Sequence, residues 1–212
     1  MLGDVLLITE KHEKAAKAIF DKIIAEKKEK FIIAISGESG SGKTELAHVL
    51  AKLFKEKGIR AKPLHIDNYY KIHPLERTEW RIKNIIENVV GFGEYDWEEI
   101  NKNIEDFGKG KKSTMPCIDI VTDQVDMLTS DFGNVDMLII DGLYAIETDA
   151  ANLRIFIELT YHETKKAQQK RGKEPQNEYR MRVLEQEHKV VKSLKSKADI
   201  FIDKNYQVRF KR

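Results

Sequence analysis

The chain has 212 residues, 41% hydrophobic and 34% charged, with 37 Lys and Arg against 35 Asp and Glu. That length suits one domain with a sizeable core, and the balance excludes a membrane-embedded protein and a low-complexity disordered chain. A formal net charge of +2 gives no general attraction to nucleic acid or acidic lipid, so neither partner is expected.

Leu2–Ile8 is apolar but short and interrupted by Gly3 and Asp4, unlike a secretory signal. The lone Cys117 cannot form an intramolecular disulfide, so a reducing, cytoplasmic setting is expected. Ala15, Ala18, Ile19, Ile23 and Ile24 recur at helical spacing between Glu10 and Lys30, as on an amphipathic helix lying on a core. Phe31 to Ile35 is a continuous apolar run that stops at a Gly/Ser cluster, the pattern of a buried parallel strand. Lys43 to Lys57 then carries Leu46, Val49, Leu50, Leu53 and Phe54 on one helical face and stops at Gly58. Further strands are expected at Ala61–Ile66, Met137–Ile140, Arg154–Leu159 and Ile200–Ile202, with helical patterns between most of them. Alternating strands and helices imply a parallel sheet covered on both faces. Residues 71–131, with Trp80, Phe92, Tyr95 and Trp97 among charges, exceed what one crossover needs and are expected to hold substrate.

Gly37-Glu38-Ser39-Gly40-Ser41-Gly42-Lys43-Thr44 satisfies G-x-x-x-x-G-K-[ST], the P-loop. Its glycines let backbone N–H groups curl around a polyphosphate and the following helix adds its positive end. Lys43 reaches the terminal phosphates, and Thr44 offers a hydroxyl to Mg²⁺. At background usage a chance match in a chain of this length has a probability on the order of 1%. All eight residues are therefore assigned to nucleotide binding, with ATP and Mg²⁺ as cofactors. Asp141, closing the run Leu138-Ile139-Ile140, is the expected second protein contact to Mg²⁺. Asp67, at the end of the next strand, is the expected base or orienting carboxylate.

Residues 163–182 carry Lys165, Lys166, Lys170, Arg171, Lys173, Arg180 and Arg182 with few apolar anchors, which suggests a mobile basic lid more than a packed helix. Arg171, Arg180 and Arg182 are the candidates for clamping a phosphoryl group, because a guanidinium fork matches phosphate oxygens. A guanine-binding switch would need N-K-x-D, and Asn101-Lys102-Asn103-Ile104 lacks the Asp. A catalytically weak ATP-binding protein is the other alternative. Asp131-Phe132-Gly133 matches a protein-kinase triplet, but without its companion motifs it is taken as coincidence.

From about Phe31 to Ile202 the chain resembles the uridine kinase and phosphoribulokinase group of P-loop kinases. His65-Ile66-Asp67-Asn68-Tyr69-Tyr70 resembles that family's Asp-x-x-Tyr segment, Tyr95-Asp96-Trp97 its aromatic-Asp motif, and Arg180-Met181-Arg182 its paired lid arginines. The resemblance implies that Asp67 activates the acceptor hydroxyl and that Asp96 holds ribose hydroxyls, with Tyr70 also at the acceptor. Ile118 and Asp123 stand where uridine kinases have the Tyr and His that recognise the pyrimidine, and Gln168 and Gln169 stand near an upstream lid arginine.

The expected fold is α/β: one three-layer P-loop nucleoside-triphosphate hydrolase domain, 1–212, with a parallel central sheet. It would comprise an N-terminal strand/helix extension (1–30), a substrate-binding insertion (71–131) and a basic lid (163–182). The expected partners are ATP and a small-molecule hydroxyl acceptor, and formation of a homo-oligomer stays open.

Overall fold

The computed structural model describes residues 2–26, 29–172 and 174–211. Lys27 and Lys28 of the expected first helix and Lys173 of the basic segment lie outside them. Helix α1 (Glu10–Glu26) is followed by β1 (Phe31–Gly37), α2 (Lys43–Glu56) and β2 (Ala61–His65). The insertion then supplies α3 (Pro74–Lys83), α4 (Ile86–Val89), α5 (Trp97–Gly108) and a hairpin of β3 (Lys112–Asp119) and β4 (Gln124–Asp131). The chain returns through β5 (Met137–Asp141), β6 (Leu153–Ile157), α6 (Lys165–Arg171), α7 (Glu178–Ser193), β7 (Ile200–Ile202) and β8 (Val208–Phe210).

The central sheet has the order β2-β5-β1-β6-β7-β8, parallel except for β8. Every residue of β1 is buried, because side chains alternate between two covered faces. Phe31, Ile33 and Ile35 join Met137, Ile139, Ile155 and Ile157 beneath α1 and α2. Ile32 and Ala34 join Leu138, Ile140 and Phe156 beneath α5 and the end of α7. This is the expected three-layer α/β arrangement with a parallel central sheet. Among the described residues no helix is long and apolar enough to cross a membrane.

The five expected strands form with end shifts of up to two residues, whereas β3, β4 and β8 carry signals the sequence reading passed over. From Lys112 to Cys117 the buried Ser113, Met115 and Cys117 alternate with exposed or half-buried Lys112, Thr114 and Pro116, the period of a strand covered on one face, before the buried Ile118 breaks the pattern. No strand forms over residues 2–9: that stretch is irregular, with a single parallel bridge from Leu2 to Asp119. Gly3 and Asp4 break the apolar run there, and only Leu2 finds a backbone partner along the hairpin, through Ile118 and Ile120.

Packed helix also replaces the expected loose lid. Residues 165–171 and 178 onward are helical, and Gln168 and Arg180 are buried. Polar anchors hold the segment where apolar ones are few: Thr164 Oγ1 and Gln168 Nε2 donate to the carbonyl of Ser39 at 2.7 and 3.4 Å.

Candidate active site

Parallel packing brings the carboxyl ends of β1, β5 and β2 side by side, with Ile35 in register with Asp141 and Asp141 with His65. Such an edge is where open α/β sheets take ligands. β1 runs into the glycine loop, and α2 opens at Lys43. Gly42 is needed for two reasons. Its φ of +94° favours glycine, and a Cβ there would lie 1.9 Å from the Tyr206 hydroxyl and 2.6 Å from His12 Nε2. Those groups back the loop from α1 and from the turn before β8, and Tyr206 also donates to the carbonyl of Ser41.

Glu38 is part of the loop by sequence, yet its carboxylate turns away to accept from the Tyr161 amide and to meet His188 Nδ1 of α7, both at 2.7 Å. Within the loop the Ser41 hydroxyl is buried without a protein partner. Lys43 Nζ donates to the Glu38 carbonyl at 2.9 Å. Burial pushes its ammonium pKa down and Arg171 adds to this, while Asp67, Asp141 and Glu45 pull the other way. A buried cation flanked by carboxylates, beside an unpartnered hydroxyl, fits an incoming anion.

Thr44 Oγ1 donates to Asp141 Oδ2 at 2.8 Å, and Asp141 Oδ1 lies 2.5 Å from His65 Nδ1. Burial alone would raise the Asp141 carboxyl, but His65, Thr44 and Lys43 outweigh it and hold the pKa below the ordinary value. Asp141 is therefore ionised at neutral pH. Gly142 follows with φ +157°, where a Cβ would lie 2.0 Å from Ile66 Cγ1. Sequence reasoning missed His65 as the partner of Asp141. The usable signal was register: once β2 is placed beside β5, His65 and Asp141 point to the same face.

Asp67 lines one cleft together with Thr44, His48, Pro63, His65 and Asp141. Tyr95 Oη lies 3.4 Å from Asp67 Oδ1 and 2.6 Å from Tyr70 Oη. Burial raises both phenol pKa values, so each keeps its proton. Tyr95 has one proton and two acceptors within reach, Tyr70 Oη and Asp67 Oδ1, so its hydroxyl can turn from Tyr70 to the carboxylate and orient it. Asp96 sits one residue on, where its amide donates to the Tyr69 carbonyl and its Oδ1 accepts from the Glu99 amide as the N-cap of α5. The cap accounts for one of its two oxygens.

The three lid arginines have different surroundings. Arg180 is buried beside Glu187 and donates to Ser39 Oγ of the loop at 3.2 Å. Arg171 donates to both oxygens of Asp4 at 2.9 and 2.7 Å, within electrostatic reach of Lys43 and Asp67. Arg182 is exposed and grips Glu87 of α4 with three hydrogen bonds of 2.8–3.1 Å. Among the described contacts none joins Arg182 to the loop, so the two arginines of Arg180-Met181-Arg182 do not act on one group in this conformation.

A glycine loop between a buried parallel strand and a helix, with its threonine bonded to an aspartate ending the neighbouring strand, defines a P-loop nucleotide-binding fold of the kinase kind. Residues 32–208 match the model of the phosphoribulokinase / uridine kinase family, and the chain belongs to that family. It is 32% identical over 137 residues to a uridine kinase of Ureaplasma parvum, covering 62% of this chain and 63% of that protein. A uridine kinase of Mycoplasma genitalium is 29% identical over 131 residues, 60% of each chain. The matched region thus spans somewhat under two thirds of these relatives. Among solved structures, one described as a possible uridine kinase from Bacillus stearothermophilus superposes with a TM-score of 0.65 at 19% identity, covering 89% of this chain and 97% of that one. Phosphoribulokinase from Rhodobacter spheroides gives 0.64 at 13% identity, over 82% and 70%. At such identities the superpositions speak to the fold.

Proposed function

We propose that the protein is an ATP-dependent kinase that transfers the γ-phosphoryl group to a hydroxyl of a small molecule, a nucleoside or a related sugar-like acceptor. The observation that carries this reading is the convergence of the Thr44–Asp141 hydrogen bond and Asp67 on one cleft, with the buried Lys43 in electrostatic reach of both carboxylates. The loop from Gly37 to Gly42 and Lys43 would hold the ATP phosphates, and Thr44 and Asp141 would hold Mg²⁺. One hydroxyl and one carboxylate suit an ion that takes its remaining ligands from phosphates and water. Bound there, Mg²⁺ would neutralise charge on the transferred group.

The rest of the work falls to this chain's own side chains. Asp67, aimed by Tyr95, accepts or orients the acceptor proton. Tyr70 and the free lone pairs of Asp96 face acceptor hydroxyls, and Arg180 and Arg171 offset charge on the moving phosphoryl group. Arg182, bound to Glu87, takes that role only after a rearrangement of the lid. Supporting an acceptor other than a pyrimidine nucleoside, Ile118 is buried and its amide donates to Asn68 Oδ1, and Asp123 occupies the hairpin turn with φ +55°. Neither position supplies the aromatic ring or the imidazole expected of a pyrimidine pocket.

The test is ADP formation against a panel of nucleosides, pentoses and vitamin precursors, run on the unchanged protein and on Asp67→Asn. A compound with a vicinal diol and a primary hydroxyl is expected to outperform uridine. Asp67→Asn should keep ATP affinity and lower kcat by about two orders of magnitude, the scale for losing a general base. Uridine as the best acceptor would overturn the specificity reading, and an equal loss of ATP binding in the variant would make Asp67 a metal ligand instead.

A further inference from the structure

The segment from Leu2 to Thr9 crosses the mouth of this cleft. Leu2 pairs with the hairpin, its amide donating to the Ile118 carbonyl at 2.9 Å while the Ile120 amide donates back at 3.2 Å. The Leu7 amide donates to Glu45 Oε1 of α2 at 3.1 Å, and the Thr9 amide to His12 Nδ1 of α1 at 3.0 Å. Between these ties, Asp4 and Leu6 form a wall of the cleft that Thr44, Asp67 and Asp141 also line. The segment bridges the hairpin, the P-loop helix and the lid without belonging to any of them.

Two features make this more than a packed terminus. First, both oxygens of Asp4 engage the guanidinium of Arg171, and the pair is largely buried, the side chains 8% and 13% exposed. Both bonds come from the single Nη2, and a carboxylate held there by charge-assisted hydrogen bonds presents the same chemistry as two oxygens of a phosphoryl group. Second, the segment lines the cleft itself, whose accessible volume is about 130 Å³.

We propose that Leu2–Thr9 is an autoinhibitory strap, in which Asp4 holds Arg171 as a stand-in for the transferred phosphoryl group and must release it before Mg·ATP and acceptor engage together. The proposal rests on the kinase reading above. Leu2 and Val5 are 48% and 54% exposed, while Asp4 is held by its ion pair with Arg171, so exchanging that partner for a phosphate is the decisive step of release. The Arg171 Nε, buried without a partner, leaves the guanidinium with a further donor for the arriving anion.

The γ-phosphate gives a selective test, because ATP competes with Asp4 for Arg171 and ADP lacks the competing group. Calorimetric titration should show Asp4→Asn binding Mg·ATP three- to tenfold more tightly than the unchanged protein, with Mg·ADP affinity within twofold. Hydrogen exchange on the unchanged protein provides an independent readout if the variant folds poorly. The Leu2 and Leu7 amides should exchange faster with saturating Mg·ATP than with Mg·ADP. Unchanged or weaker ATP binding in Asp4→Asn, or exchange that is the same with both nucleotides, would overturn the strap. An unchanged protein that binds neither nucleotide would overturn the kinase reading, and the strap with it.

Discussion

Asp141 concentrates the site's electrostatics in one side chain. It is almost fully buried, which opposes ionisation, yet His65, Thr44 and Lys43 reverse that effect and hold its pKa below the ordinary value. A carboxyl depressed on folding contributes stability that is fully present above its unfolded value and is lost as pH falls through the folded one. For metal-free protein the expected window therefore lies below about pH 4. Asp141→Asn should cost about 2 kcal/mol at pH 7, the scale of hydrogen bonds to a charged group. The gap between variant and unchanged protein should close as pH falls through the depressed folded value. Urea unfolding at a series of pH values measures this, and a gap that persists in acid would show that shape rather than charge holds Asp141 in place.

At the scale of elements, the sheet strands and the glycine loop were legible because their signals are local: apolar runs of strand length, a fixed glycine spacing, a helical face after Lys43. The hairpin and the helical lid were not, because what stabilises them is distant in sequence. β3 is pinned by Asn103 of α5, whose Nδ2 donates to Ser113 Oγ at 2.9 Å and the Thr114 carbonyl at 3.1 Å. α6 is held by hydrogen bonds across more than 120 residues to Ser39. Asp67 and Asp141 were found from motif and strand ends, whereas Tyr95 as the orienter of Asp67 and Asp4 as the partner of Arg171 follow only from three-dimensional packing.

The insertion has its own internal tie of the same kind. Arg81 of α3 donates to Glu94 through Nε at 2.6 Å and Nη2 at 3.1 Å, both side chains are at most 5% exposed, and Glu94 also accepts from the Gly91 amide. Arg81→Ala should destabilise the protein by about 3–5 kcal/mol, since it strands a buried carboxylate. Replacing both partners, Arg81→Met with Glu94→Leu, should recover most of that loss, because desolvation is removed along with the attraction. Chemical denaturation of the three variants checks it, and a double variant as unstable as the single one would mean the pair specifies the fold of the insertion.

Across the whole molecule, every layer converges on the glycine loop. His12 of α1 and Tyr206 before β8 press on Gly42, Thr164 and Gln168 cap Ser39, Arg180 reaches its hydroxyl, and His188 of α7 holds Glu38. A loop fixed from so many sides is formed before ligand arrives, so a change to its ligand-facing side chain should alter binding and leave the fold intact. Lys43 is the case that separates the two. Its ammonium is buried with a depressed pKa, so its presence costs desolvation in the free protein. Lys43→Ala should therefore melt within a degree or two of the unchanged protein when no nucleotide is added. With Mg·ATP at about 100 times the dissociation constant, binding stabilises the unchanged protein by about 2.7 kcal/mol. For a chain of this size that is roughly 5–10 °C in Tm. The variant should show almost none of that rise at the same concentration. Thermal shift assays on both proteins, with and without Mg·ATP, decide the matter: a variant that keeps the full rise would remove Lys43 from the nucleotide site.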